Sequence, residues 1–440
     1  SGIFGDAGAI GADVTVSGSG IVSGEDTPLD SHGAVYLEGA NSVVTNEGLI
    51  ESDTFAVYAS GDGFVLRNTG IIAANVNYAI ENSLSFGVFI AGVSSAEITN
   101  AGVISAGYYA VSLTGADENA VFTISNTGLI DGHYLGAIDF DRGELQLYNS
   151  GDIIGAIRGI YIDDGDLILE NIGTISAYER EAIDLAVGTA SITNSGEISS
   201  VLGVGIAAPL TYLQNSGLIS GVVGISINGT VDSVYISNTG EIASSAGDDA
   251  IYVNPNLDVS LTLVSTGVIS GTIDLGAGGD VILISGEGVA TGDILTAAGQ
   301  DYVQGGQFID RMNGGTGIDI LLGGGGADVI TGGDDIDFLL GEEGADVFLF
   351  TTISDSAVGE ADSILDFEQG EDIIDLYTIE TSIAFLGSGA FTGSGGAELR
   401  ATNVGGVLSI VDFDVDGNGA ADMQFIVYGA LDMTPADFGL

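Results

Sequence analysis

One phrase, apolar-x-Asn-x-Gly-x-Ile, organises the first 275 residues of this 440-residue chain. It stands around Asn46, Asn68, Asn100, Asn126, Asn149, Asn171, Asn194, Asn215 and Asn238. Degenerate copies at Gly18/Gly20/Val22 and Ser265/Gly267/Ile269 bracket the series. Successive asparagines lie 21 to 23 residues apart, except for steps of 32 (Asn68 to Asn100) and 26 (Asn100 to Asn126), which predict loop insertions. Each unit carries a second phrase, small-apolar-x-apolar, as in Ala56-Val57-Tyr58-Ala59 and Ala182-Ile183-Asp184-Leu185. These are short period-two segments rich in β-branched residues and separated by Asn, Gly and Ser. Glycine recurs too often, and the apolar residues do not follow a 3.6 period, so helices are excluded. Strands this short are unstable as isolated hairpins. Stacking the units in register pairs every strand above and below and aligns Ile, Val and Leu in columns. The pattern predicts an all-β chain, a right-handed parallel β-helix (β-solenoid) of about eleven coils. Asn-x-Gly is expected at the corner, with asparagine tolerating left-handed or bridging dihedrals and glycine supplying positive φ.

Charge narrows the partners. The chain has 62 acidic and 6 basic residues, a formal charge of −56, and every basic residue is arginine. Nucleic acid and anionic membranes are repelled over the whole approach. With no cysteine, disulfide scaffolds and thiolate metal sites are excluded. Disorder does not suit 45% hydrophobic residues and a mean hydropathy of +0.42. No apolar run approaches the roughly 20 residues of a membrane span, so no membrane insertion is expected. The start, Ser-Gly-Ile-Phe-Gly-Asp, lacks the basic and apolar regions of a cleavable leader. So much like charge beside so much apolar material calls for bound cations.

From residue 296 the period becomes nine. The clearest copies run Gly314-Gly-Thr316-Gly317-Ile-Asp319, Gly323-Gly-Gly325-Gly326-Ala-Asp328, Gly332-Gly-Asp334-Asp335-Ile-Asp337 and Gly341-Glu-Glu343-Gly344-Ala-Asp346, each followed by an aliphatic strand. Weaker copies end at Asp301 and Asp310, and an isolated one ends at Asp280. Each unit joins a turn of exposed carbonyls to a carboxylate, the hard oxygen donors that calcium selects. Two units make an 18-residue coil. Asp301, Asp319 and Asp337 are then expected in one column, and Asp310, Asp328 and Asp346 in another. The expected metal donors are these six and Asp280, with Gly314, Thr316, Gly323, Gly325, Gly332, Asp334, Gly341 and Glu343 in the turns. Asp335, Glu342-Glu343 and Phe308 depart from the glycine pattern, and looser binding is expected at those edges.

The nonapeptides resemble those of the repeats-in-toxin (RTX) proteins. The resemblance covers residues 275–440 and implies a calcium-bound parallel β-roll. It also implies export from a Gram-negative bacterium by the type I secretion machinery on an uncleaved C-terminal signal. Asp362-Ser-Ile364-Leu-Asp366-Phe367 through Asp372-Ile-Ile374-Asp375-Leu376 looks like the segment that follows the roll in that family, and Thr434-Pro-Ala-Asp437-Phe438-Gly-Leu440 looks like the export signal. Asp412 to Asp422 looks like its acidic hairpin and also like an EF-hand loop, although Met423 stands where that loop needs a bidentate acid. The Asn-x-Gly region is similar to β-helices of bacterial surface proteins and adhesins. The expected domains are 1–274 (β-helix), 275–350 (RTX β-roll) and 351–440 (β-rich cap and secretion-signal region).

A catalytic alternative rests on the solenoid. In-phase alignment puts Asp139, Tyr161 and Asp184 in one outward column, with Asp141 and Asp163 in the next. Arg158 and Arg180, 22 residues apart, also fall in phase, with Arg142 nearby. Paired carboxylates can work on a glycosidic bond. The same groups also serve as a charge ladder, and the two histidines, His32 and His133, sit in turn-like contexts. The reading favoured is a non-enzymatic, secreted, calcium-dependent structural or adhesive protein of the cell surface, biofilm matrix or S-layer, self-assembling end to end into filaments or into a lattice. The alternatives are a polysaccharide lyase, hydrolase or epimerase, or a monomeric glycan- or ice-binding adhesin module.

Overall fold

The computed structural model describes residues 3–5, 12–17, 21–24, 34–75, 84–429 and 432–439. It is all-β, a parallel β-solenoid whose coils pair strand on strand. The chain divides into two compact units, one of residues 1–231 with 240–248 and one of 232–239 with 249–440. His32, Gly18, Gly20 and Leu440 lie outside the described residues.

In the first unit a coil consists of three short strands, such as Leu49–Ser52, Phe55–Ala59 and Phe64–Asn68. Ile50, Ile72, Ile104, Ile130, Ile153, Ile175, Ile198, Ile219 and Ile242 pair in register and are all fully buried. Each contributes about 2 kcal/mol by burial, so the column is a major part of the core. The extra residues of the interval from Asn100 to Asn126 fall in 116–120, between the strands Tyr109–Gly115 and Val121–Asn126, and the flanking strands pair with the coils on either side. Those of the interval before it lie largely outside the described residues, and the strand that follows carries an irregularity between Ala91 and Val93.

The corner works differently from the expectation. Neither the asparagines nor the glycines of the Asn-x-Gly phrase adopt positive φ. Each asparagine points inward instead. The Nδ2 of Asn46 donates to Asn68 Oδ1 at 2.8 Å, and the chain of amide-to-amide bonds continues through Asn100, Asn126, Asn149, Asn171 and Asn194 to Asn215. The same Nδ2 atoms donate to the carbonyl two residues on and to a carbonyl of the next coil. A buried amide must find partners, and stacking in register supplies them. The glycine is required by contact: a Cβ on Gly70, Gly102 or Gly128 would collide with the carbonyl of the preceding coil's glycine. One glycine of the second phrase is set by a similar contact. At Gly87 a Cβ would lie 2.6 Å from Ala110 O and 3.0 Å from Ile104 Cγ2.

In the second unit the coil narrows to two strands. Tyr302 pairs with Ile320 and Ile320 with Phe338, while Arg311 pairs with Val329 and Val329 with Val347. The core becomes two thin columns, Val303/Leu321/Leu339/Ile364 and Met312/Ile330/Phe348/Ile374. An antiparallel sheet of Glu398–Val404, Leu408–Asp414 and Met423–Tyr428 follows. Ile426 pairs with Ser363 and Phe438 with Ile374, so the sheet and the C-terminal strand cover the last coil. Phe350 and Phe425 stack beneath it at 4.8 Å.

Candidate metal centre

The nine-residue period places one aspartate per half-coil immediately before its inward-facing aliphatic strand. Successive coils bring these aspartates into two columns, and all of them are buried. In one column the backbone N–H of Asp280 donates to Asp301 Oδ1, Asp301 to Asp319, Asp319 to Asp337 and Asp337 to Asp362, at 2.7–2.9 Å. In the other, Asp310 donates to Asp328, Asp328 to Asp346 and Asp346 to Asp372, at 2.8–3.0 Å. Oδ1 is thus consumed by the ladder. The other oxygen is left over: Oδ2 of Asp280, Asp301, Asp319, Asp328, Asp337, Asp346 and Asp362 is buried without a hydrogen-bond partner.

Seven such orphans are costly, since each buried unpartnered acceptor loses its hydration for nothing. Burial pushes the carboxyls up, to about 6 for Asp319, Asp328 and Asp346, about 8 for Asp280 and Asp337, and about 9 for Asp362, where the neighbouring Asp337 carboxylate adds to the shift. Asp301, Asp310 and Asp372 are raised for the same reason.

The first glycine of each clear repeat faces its own orphan. A Cβ on Gly314, Gly323, Gly332 or Gly341 would strike Oδ2 of Asp319, Asp328, Asp337 or Asp346. The same Cβ positions at Gly314 and Gly323 lie 2.6 Å from Gly332 O and 2.7 Å from Gly341 O. A carboxylate oxygen and a carbonyl from the next coil therefore converge on one small space, a donor set that fits calcium.

The other sequence-predicted positions differ. Asp310 lacks the orphan, because the Gly306 N–H donates to its Oδ2 at 2.8 Å. At Asp301 the first repeat position is Thr296, a buried side chain whose hydroxyl donates to Gly314 O at 2.8 Å. The side chains of Thr316, Asp334 and Glu343 are exposed, away from the columns, and Gly325 is buried in its turn. The Thr316 and Asp334 carbonyls accept from Gly299 and Gly317 of the preceding coil. Asp335 and Glu342 do take the left-handed φ of the glycines they replace, 84° and 64°. Asp362 and Asp372 extend the columns, an extension that counting in nines misses because they follow Asp337 and Asp346 by 25 and 26 residues. The signal was the recurring Asp-x-aliphatic phrase in Asp362-Ser-Ile364, which repeats Asp337-Phe-Leu339. In the hairpin, ligand oxygens of Asp414, Asp416 and Asp422 lie within 4.8 Å of one another, and backbone N–H groups of the loop donate to all three.

On the first unit, Asp139, Tyr161 and Asp184 do form one outward column. Arg158, however, stands beside Glu181 rather than Arg180, because that coil has 23 residues and not 22. It pairs with Glu181 at 3.3 Å and with Asp184 at 2.7 Å. His133 is exposed and lies 3.2 Å from Asp131.

Comparison with known proteins agrees with the roll. Serralysin A of Dickeya chrysanthemi is 35% identical over 91 residues, 21% of this chain and 19% of that protein. Metallopeptidase AprA of Pseudomonas marginalis is 37% identical over 82 residues, 19% of this chain and 17% of that one. The chain thus matches about a fifth of the length of these curated relatives. The family model described as Peptidase M10 serralysin C terminal matches residues 215–439, more than half of the 440. By that match, and with the orphaned carboxylates stacked inside the matched region, the chain belongs to the Peptidase M10 serralysin C-terminal family.

Proposed function

We propose that the protein is a secreted, calcium-dependent structural or adhesive protein of a Gram-negative cell surface or matrix, in which residues 275–350 form the calcium-binding roll and 351–440 its cap and export segment. One observation carries the reading: the row of buried Oδ2 atoms without partners, each set against a turn glycine. Calcium, when bound, supplies the positive charge that the stacked carboxylates lack. Asp319, Asp328, Asp337 and Asp346 would hold it with carbonyls of the adjacent turns. Asp280, Asp301 and Asp362 would contribute at the column ends. Asp310 would join them with one oxygen already accepting from the Gly306 N–H.

The C-terminus supports export before folding. Asp437 accepts from the Thr434 N–H at 2.6 Å, closing a short turn over Pro435–Asp437, and buried Phe438 packs on Phe385 at 5.6 Å. A signal folded in this way is read only in the unfolded chain, and calcium outside the cell then draws the roll together. Self-assembly into filaments or a lattice belongs to the same proposal, supported by acidic flanks that a divalent ion can bridge. The covered last coil weighs against stacking through that end. A structural rather than catalytic role is favoured because Arg158 already engages the Asp184 carboxylate.

The test is a calcium titration of the full chain followed by circular dichroism and light scattering. Calcium, but not magnesium at the same concentration, should restore β-structure lost in EDTA at neutral pH. Gly332→Ala, which places a methyl against Asp337 Oδ2, should raise the calcium midpoint at least tenfold. Identical spectra and melting in EDTA and calcium would sink the reading. Monodisperse single particles under both conditions would remove the assembly component alone.

A further inference from the structure

One outward column of the first unit differs from its neighbours. Tyr36 pairs with Tyr58 and Tyr58 with Phe89, and the rings stack at 4.4 Å and 5.8 Å. Beside them runs a second file, Phe55, Phe86 and Tyr109, stacked at 5.4 Å and 6.4 Å. The first file then changes chemistry. It continues in register through Ser112, Asp139, Tyr161 and Asp184, and gives way to the small Ala207 and Ser226. The second file ends at Gly136, which lies against the Tyr109 ring: a Cβ there would be 2.7 Å from Tyr109 Cε1. Seven rungs from Tyr36 to Asp184 span about 30 Å at the ordinary strand spacing.

Aromatic ladders stabilise stacked coils by themselves, so the rings alone establish nothing more. The carboxylates add the second observation. Arg158 lies over the Tyr161 ring, 4.6 Å from its centroid, and spends its Nε donor on Asp184 and Glu181. Asp139, half-buried one coil away, receives only the Ser112 hydroxyl among the described residues, at 2.9 Å. Its burial also pushes its carboxyl up, to about 6. The Tyr161 hydroxyl donates to Asp163 at 2.9 Å and keeps its acceptor lone pairs. Phe86 and Tyr109 are buried, so the half-exposed rings of the first file are Tyr36, Tyr58 and Phe89, with Asp139 two rungs beyond them. A half-buried carboxylate short of donors in line with these rings suits a ligand with hydroxyl pairs and apolar C–H faces in linear succession.

We propose that this face is a binding track for an uncharged polysaccharide chain, stacking on Tyr58 and Phe89 and donating hydroxyl hydrogen bonds to Asp139 and Tyr161. The ligand class follows from charge. Asp139, Asp141, Asp163, Asp184 and Glu181 outnumber the two arginines beside them, Arg158 and Arg180, so a uronate chain is repelled. The track lies in the unit without the aspartate columns, so it goes beyond the calcium reading and stands or falls separately.

The experiment is affinity electrophoresis of the full chain, in excess calcium, through gels containing an uncharged glucan, galactan, mannan or soluble chitin derivative, with polygalacturonate as the charged counterpart. At least one uncharged polymer should retard the protein, and polygalacturonate should not. Tyr58→Ala and the nearly isosteric Asp139→Asn should each weaken retardation about tenfold, while Tyr178→Ala, an exposed ring outside the track, should leave it unchanged. Circular dichroism confirms that the variants fold, and Asp139→Asn remains decisive if Tyr58→Ala does not. Absence of retardation by all four uncharged polymers, equal retardation by polygalacturonate, or retardation unchanged in Asp139→Asn would overturn the proposal. Retardation alongside a failed calcium titration would leave this track standing and remove only the calcium reading.

Discussion

Asp310 and Asp337 occupy the same position of the nine-residue repeat and differ by one hydrogen bond. Oδ2 of Asp310 accepts from the Gly306 N–H, whereas Oδ2 of Asp337 is buried with no partner. The sequence assigned both to the metal, Asp337 from a clear copy of the repeat and Asp310 from a weaker one. The turn of each repeat separates them: Phe308 and Asp335 both replace the glycine, but only Asp335 takes its left-handed φ. The orphans also set a pH response. Their folded-state values lie above the ordinary carboxylate value, at about 6 for Asp319, Asp328 and Asp346 and about 8 to 9 for Asp280, Asp337 and Asp362, with burial as the first cause. Without metal, the stability they contribute is complete below the unfolded value near 4 and is lost as pH rises through the folded values. Metal-free protein should therefore gain β-structure on acidification from pH 8 to about pH 5. With calcium the sign reverses, because the ligating carboxylates must be deprotonated. Circular dichroism against pH, in EDTA and in calcium, checks both; a metal-free curve that is flat or falls toward acid contradicts the assignment.

At the scale of the element, the asparagine corner is the main difference between the expected and the observed coil. The phrase was legible as a corner and its spacing as a coil length, and the structure has both. Asparagine was expected there for its tolerance of unusual dihedrals, yet Asn149 is buried and its Nδ2 donates to Asn171 Oδ1, Gly151 O and Thr174 O at 2.8, 3.0 and 3.2 Å. An amide ladder joins residues about 22 apart, so no local rule reveals it. Removing one rung should be costly. Asn149→Ala takes one acceptor from the Asn126 amide, which keeps Gly128 O and Asp152 O, and removes the side-chain donor to Asn171 Oδ1, Gly151 O and Thr174 O, and should destabilise the first unit by about 3 kcal/mol. Urea unfolding reads the change; a loss under about 1 kcal/mol would mean that water replaces the rung.

For the whole molecule, the two units hold their coils by different means. The first has wide coils with a continuous isoleucine column and an internal amide ladder, and among its described residues it carries none of the stacked orphan carboxylates. The second has thin coils with two inward residues each, so apolar burial alone supports it weakly. Chelation should accordingly separate them. Thermal melting in EDTA should show one transition shifted down by more than about 10 °C or abolished, and another shifted by less than about 2 °C. Equal shifts in both transitions would contradict a metal requirement confined to the roll.

The sequence by itself determined the all-β stacked architecture, the lengths of the two kinds of coil and the division of the roll's aspartates into two columns. A repeat protein makes this possible because each unit contacts mainly its neighbours, so one-dimensional spacing becomes three-dimensional register. Tertiary structure decided whatever depends on where an atom points after stacking. The Asn-x-Gly glycine is set by a carbonyl of the preceding coil and not by φ, Arg158 faces Glu181 because one coil is a residue longer, and Asp362 and Asp372 join columns that their sequence spacing conceals. Hydrogen-bond satisfaction is a property of the packed coil, and only there does a buried carboxylate either find a partner or remain short of one.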